Sequence, residues 1–144
     1  MLKNPTEFEY RLLGGALANY TTTFSSALME LDAESMSCSS SAWLLNAILS
    51  TADRGLPVDV ITIEESRVKA VDDGVIPSSC DFAWLIEIAK SGIGSRNADA
   101  YAKALKANAA TLNAIKRLDE VKAAILENED PLSAMRYARA AHLS

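Results

Sequence analysis

The sequence predicts an all-α fold, a compact helical head followed by a helical hairpin. Three observations carry this expectation. Apolar residues recur at three- and four-residue spacing through most of the 144 residues. Helix-starting and helix-stopping residues punctuate them. The one β-rich run, within RGLPVDVITIEE (54–65), has no second strand to pair with. It reads as a short extended connector rather than as part of a sheet.

The first helix is expected over residues 6–18, with Thr6 as its cap and Glu9 three residues on in capping-box spacing. Phe8, Leu12, Leu13 and Leu17 make its apolar face. Gly14 and Gly15 lie inside it, each costing about 1 kcal/mol against Ala. Such a pair predicts that another helix approaches closely there. A shorter helix follows over 24–31, and SMSCSSS (35–41) is a loop. Ser39, Ser40 or Ser41 then caps a helix over 42–53, with Trp43, Leu44, Ala47 and Ile48 facing inward. Gly55 suits the position just past its end, and Pro57 cannot continue it.

After Pro57 the chain must be extended, and the apolar side chains of 58–61 are expected to be buried in the connector. Thr62, with Glu65 in capping-box spacing, starts the next helix, which runs to about residue 71. Asp59 is the polar residue in this run; a turn or cap hydrogen bond is expected of it rather than catalysis. DDGVIPSSCD (72–81) is a loop, from which Asp81 or Ser79 caps a helix over 82–90 carrying Trp84, Leu85, Ile88 and Ala89. SGIGS (91–95) reads as a hinge between two sub-regions. Its glycines match no phosphate-cradling pattern, and no strand precedes them.

From Arg96 the pattern changes to Ala, Leu, Lys and Glu with no Gly or Pro as far as residue 128. Asn97 caps a helix through about 107, on which Tyr101 and Leu105 share a face. Asn108 is the expected break. Leu112, Ile115, Leu118, Val121 and Ile125 then continue at gaps of 3, 3, 3 and 4. Two helices folded as a hairpin have too little core of their own, so this stripe must pack on the head or on another chain. ENEDP (127–131) reads as a linker, and 132–143 as one last short helix with Leu132, Met135 and Ala138 on one side. The expected division is therefore head 1–95, hairpin 96–128, and linker with the start of a linker helix 129–144.

Hydrophobic residues make up 49% of the chain, which favours a folded domain over a disordered one. No apolar run reaches the roughly 18 residues of a membrane span, and residues 1–9 contain no secretory h-region. Two cysteines, Cys38 and Cys80, are too few for a disulfide framework and point to a reduced, cytoplasmic setting. The net charge of −5 is uneven: residues 1–95 carry −7 and residues 96–128 carry +2. An acidic chain makes a poor non-specific DNA binder, so little direct DNA binding is expected. The mildly basic segment suits either an acidic partner or an ordinary solvated helix face.

No constellation for catalysis appears. The one histidine, His142, lies two residues from the C-terminal Ser144. There is no CxxC or HExxH for a metal, no GxSxG nucleophile motif and no Walker motif. Glu64-Glu65 and Asp72-Asp73 are sequence neighbours, which do not face each other on a helix. Cys38 and Cys80 read as small loop or core residues. No catalytic, cofactor or metal residue is assigned.

The order of elements resembles the N-terminal domain of the DnaB-like replicative DNA helicases. The resemblance opens with NPTEFEYRLLGGAL, giving Pro5, Glu7, Glu9, Leu13 and Gly14. It is most specific in NAILSTADRGLPVDVITIEE, with Gly55, Pro57, Asp59 and Thr62. It continues in AWLIEIA, where Trp84 stands in a tyrosine's place, and in RNADAYAKAL with Asn97, Tyr101 and Ala102. Residues 4–128 are covered. CSSSAW stands where the family has an aromatic-rich segment and a His-Arg, and SSCDF replaces a Gly-Gly, which suggests a divergent member, such as a phage or prophage version.

The resemblance implies a non-catalytic collar domain that mediates subunit assembly and docks primase or helicase-loading factors. The implied signature residues are Gly14, Gly55, Pro57, Asp59, Thr62, Asn97 and Tyr101. The implied self-interface, as a dimer or a trimer of dimers, is the hairpin stripe of Leu105, Leu112, Ile115, Leu118, Val121 and Ile125. ATP and Mg would belong to a motor domain beyond the linker. Two alternatives stand beside this reading: a separate helicase- or primase-binding protein, loader or inhibitor, using the same fold, and a small helical enzyme or ligand-binding protein.

Overall fold

A computed structural model describes residues 2–128. Among them the chain is wholly helical, with no strand. Its helices are α1 (Pro5–Ala18), α2 (Thr22–Met29), α3 (Ser39–Asp53), α4 (Val60–Asp72), α5 (Phe82–Ser91) and α6 (Ala98–Asn128), with a single 3-10 turn at Ala33–Ser35 between α2 and α3. Two units are distinguished, the head Leu2–Ala109 and a second unit of residues 110–128. The expected linker and last helix, 129–144, lie outside the described residues.

In the head, α1 packs most extensively on α5 and also meets α2 and α3. Helix α4 bridges α3 and α5. The core they enclose contains Leu12, Leu13, Leu28, Leu44, Leu45, Ile48, Ile63, Leu85 and Ile88, all fully buried. The glycine pair has the predicted purpose. A methyl group on Gly14 would overlap the Ile88 carbonyl oxygen of α5, and one on Gly92 would overlap Gly14 and Gly15. The two backbones therefore touch, and only glycine permits it. For the same reason 91–95 is not a hinge. Gly92 is part of the α1–α5 crossing, well inside the head.

Helix starts differ from expectation where two capping patterns compete. Asn4, not Thr6, caps α1: its side chain accepts from the Glu7 N–H at 3.3 Å, and Pro5 occupies the first turn. Proline fits there because its missing N–H would have had no partner. Glu9 is thereby freed from capping. It is fully buried, and its carboxylate accepts from the Ser37 N–H at 2.8 Å and from the Ser37 hydroxyl at 2.6 and 3.0 Å. This ties α1 to the segment ahead of α3. Helix α3 begins at Ser39, three residues earlier than expected, with Cys38 at the cap position and no side-chain cap bond. Its end is as read. Gly55 sits at φ 72°; its N–H donates to the Ala52 carbonyl at 3.0 Å and the Leu56 N–H to the Thr51 carbonyl at 3.1 Å, the Schellman pairing.

The hairpin with a break at Asn108 is replaced by one continuous helix, α6, over all the described residues of that region. Asn108 holds its place in the helix, and its side chain anchors the start of the chain, where Oδ1 accepts from the Leu2 N–H at 2.8 Å. Asparagine inside a helix costs only several tenths of a kcal/mol, which one such bond offsets. The head also reaches further than residue 95, because Ala98, Ala102 and Leu105 are buried in its core.

Candidate interaction surfaces

The connector resolves the oddity of the β-rich run. Helix α4 starts at Val60, two residues ahead of expectation, and Asp59 is its cap. The Asp59 carboxylate accepts from the Thr62 N–H at 2.8 Å, so Thr62 sits at the third helical position rather than at the cap. The hydrogen bond expected of Asp59 is present. The burial expected of the whole run is not: Ile63 is fully buried, Val58 and Val60 are half-buried, and Ile61 is 77% exposed. Once the run is helical, neighbours no longer alternate as on a strand, and Ile61 falls on the face opposite the core. Asp59→Ala is expected to lower stability by about 1 kcal/mol, read as a shift in the urea midpoint. An unchanged midpoint would show that the first turn of α4 holds without its cap.

The buried side of α4 is Ile63, Arg67 and Ala70. Arg67 donates from Nε and Nη2 to the two carboxylate oxygens of Glu64 at 2.6 Å each, and from Nη1 to the Cys80 carbonyl at 2.9 Å. Donation to the Glu64 carboxylate raises the Arg67 guanidinium above its ordinary range, with burial opposing it. One side chain therefore braces α4 against the approach to α5. That approach is fixed in turn by Asp81, which caps α5 by accepting from the Trp84 N–H at 2.9 Å. Cys80 is buried, its thiol 3.3 Å from the Ser40 hydroxyl, and Cys38 is exposed.

At the start of α6, the Asn97 carbonyl accepts from the Tyr101 N–H at 3.0 Å. The Tyr101 ring packs on Phe8 of α1 at a centroid distance of 5.6 Å. Tyr101 and the Glu7 charge together hold the Arg11 guanidinium above its usual value. The signature residues are thus spread over three joints of the head. Gly14 is at the α1–α5 crossing, Gly55 to Thr62 at the α3–α4 turn, and Asn97 and Tyr101 where α6 meets α1. They do not converge on one pocket. Among the described residues no group of three or more His, Cys, Asp or Glu could hold a metal ion.

The stripe on α6 divides. Leu105 is fully buried in the head, so its place in the self-interface is corrected: it is a core residue. Leu112 and Ile115 are exposed, Leu118 is 69% exposed, and Val121 and Ile125 are half-buried. Leu126, absent from the expected stripe, is 72% exposed. Counting in threes from Leu112 leads to Val121 and Ile125 and steps past it. Placing residues at 100° per position instead puts Leu126 beside Leu112 and Ile115.

These observations define an all-α domain that uses Asn4, Asp59 and Asp81 as helix caps and Glu9 and Arg67 as braces, followed by helix carrying exposed apolar residues. The chain belongs to the family of DnaB-like helicase N-terminal domains, whose model matches residues 1–107. That match covers almost the whole head. No curated protein matches the chain. Among the described residues no helix is long and apolar enough to cross a membrane.

Proposed function

We propose that this chain is the collar of a replicative DNA helicase. It assembles with further copies of itself, as a dimer or a trimer of dimers, and docks primase or helicase-loading factors in the cytoplasm. It supplies no catalytic group; ATP, Mg and DNA translocation belong to a motor domain. The family supports the helicase role. The observation that carries the assembly role is the row of exposed Leu112, Ile115, Leu118 and Leu126 on one helix. Large apolar side chains in such a row cost solubility unless another surface covers them.

Light scattering across a concentration series tests this. The wild-type chain is expected as a dimer or larger, and Leu112→Asp or Ile115→Asp as a monomer with an unchanged helical circular-dichroism spectrum. A carboxylate forced into an apolar seam costs several kcal/mol. Leu105→Asp supplies the contrast, because it should unfold the head rather than merely dissociate the assembly. A wild type that stays monomeric, or an Ile115→Asp chain that stays oligomeric, removes the α6 row as the seam.

A further inference from the structure

The exposed face of α4 is built unlike an ordinary solvated helix face. Ile61, Glu65, Val68 and Asp72 follow one another at i, i+4, i+7 and i+11, which places all four on one line along the helix. Ile61 is 77% and Val68 44% exposed. Both are β-branched, a poor choice for an exposed helix position where packing does not decide. Glu65 and Asp72 stand beside them, and among the described residues neither is in an ion pair. The opposite side of α4 is locked by Ile63, by Arg67 on Glu64 and Cys80, and by the Asp59 cap. The line is therefore presented on a rigid support about 16 Å long.

We propose that this α4 line is a docking surface for a basic amphipathic helix of a partner protein. Along this line apolar and acidic residues alternate at each turn, with exposed Lys69 to one side of it, within a segment 1–95 carrying −7. Its complement is a helix with apolar residues two turns apart and Lys or Arg between them. The contact area is small, so the complex is weak and exchanges readily. The inference rests on the docking part of the reading above and gives it a surface and a partner chemistry.

The test titrates the full chain, labelled with nitrogen-15, with a 15-residue helical peptide of leucine, lysine and alanine. A counterpart with every lysine replaced by glutamate is the control. The expected result is perturbation of amides across 61–72 by the lysine peptide alone. Ile61→Ala with Val68→Ala should weaken binding at least tenfold. Alanine is the better helix former, so that loss would not reflect a melted helix. Glu65→Lys with Asp72→Lys should abolish binding of the lysine peptide and admit the glutamate peptide. Absent binding, perturbations centred elsewhere, or affinity indifferent to Ile61 and Val68 would each overturn the proposal. None of these substitutions touches the α6 row, so the mass from light scattering reports on assembly independently of the peptide result.

Discussion

Gly14→Ala is expected to lower the stability of the head by about 3 kcal/mol, equivalent to a fall in melting temperature of roughly 15 °C. Within a helix, alanine for glycine should gain about 1 kcal/mol from the backbone. Here the added methyl group overlaps the Ile88 carbonyl oxygen and lies 2.9 Å from the Gly92 nitrogen. Both obstacles are backbone, so no rotamer change relieves them, and α1 and α5 must move apart. Their separation would loosen the contacts of Leu12, Leu13, Leu85 and Ile88, all fully buried. Gly15→Ala is the control. Its methyl group meets the Phe24 ring at 2.5 Å, and a ring can turn aside, so a loss below about 1.5 kcal/mol is expected. Thermal unfolding of the two variants decides the matter. Gly14→Ala within about 0.5 kcal/mol of wild type would mean that the crossing yields.

The same glycines show what is legible in the sequence. A Gly-Gly pair inside an apolar helix has one cheap explanation, close helix approach, and local spacing is enough to suggest it. Local spacing does not reveal the partner, because Gly92 lies 77 residues beyond Gly15 in a segment that reads equally well as a hinge. Asp59 is legible as a source of a cap or turn bond for a similar reason: an acid ahead of an apolar helical run has few other uses. Which residue begins the helix is not. Asp59-x-x-Thr62 and Thr62-x-x-Glu65 both satisfy capping geometry, and the longer helix prevails because the earlier cap adds backbone hydrogen bonds. Thr6-x-x-Glu9 loses to Asn4-Pro5 in the same way, and the released Glu9 finds Ser37, 28 residues away.

The interaction surfaces are legible only in part. A β-rich run suggests alternation and burial for Ile61, and helical geometry sends it outward instead. Leu105 opens the stripe that Leu112 and Ile115 continue, so spacing alone places it with them. Nothing local distinguishes a leucine on the head's core from one a turn or two further along the same helix. Asn108 resembles a break because asparagine often ends helices; its bond to the Leu2 N–H is a contact across 106 residues that no local window contains. Periodicity locates the helices and most of the core. Tertiary contacts settle the division between core and free surface.

Arg67→Met is expected to cost about 2–3 kcal/mol. Methionine keeps most of the length and apolar stem of arginine, so the loss isolates the guanidinium. Two groups are stranded by it. The Glu64 carboxylate loses both 2.6 Å bonds, and the Cys80 carbonyl loses its 2.9 Å donor. Glu64 retains about a quarter of its side-chain exposure and recovers some hydration, which holds the cost below that of a fully buried pair. The charge itself is secure. The folded-state value of Arg67 is raised, so its contribution is fully present below the ordinary arginine range and is lost only as pH rises through the raised value in strong alkali. Stability measured from neutral pH to about pH 10 should therefore carry no titration of this residue. Combining Arg67→Met with Glu64→Leu separates the two stranded groups. Removing the unpaired carboxylate should restore part of the loss, and the remainder measures the Cys80 carbonyl and the α4–α5 brace. A double variant no more stable than Arg67→Met would place the whole cost on that carbonyl. Arg67 would then serve chiefly to fix the entry to α5, with Glu64 doing no more than holding the guanidinium in line.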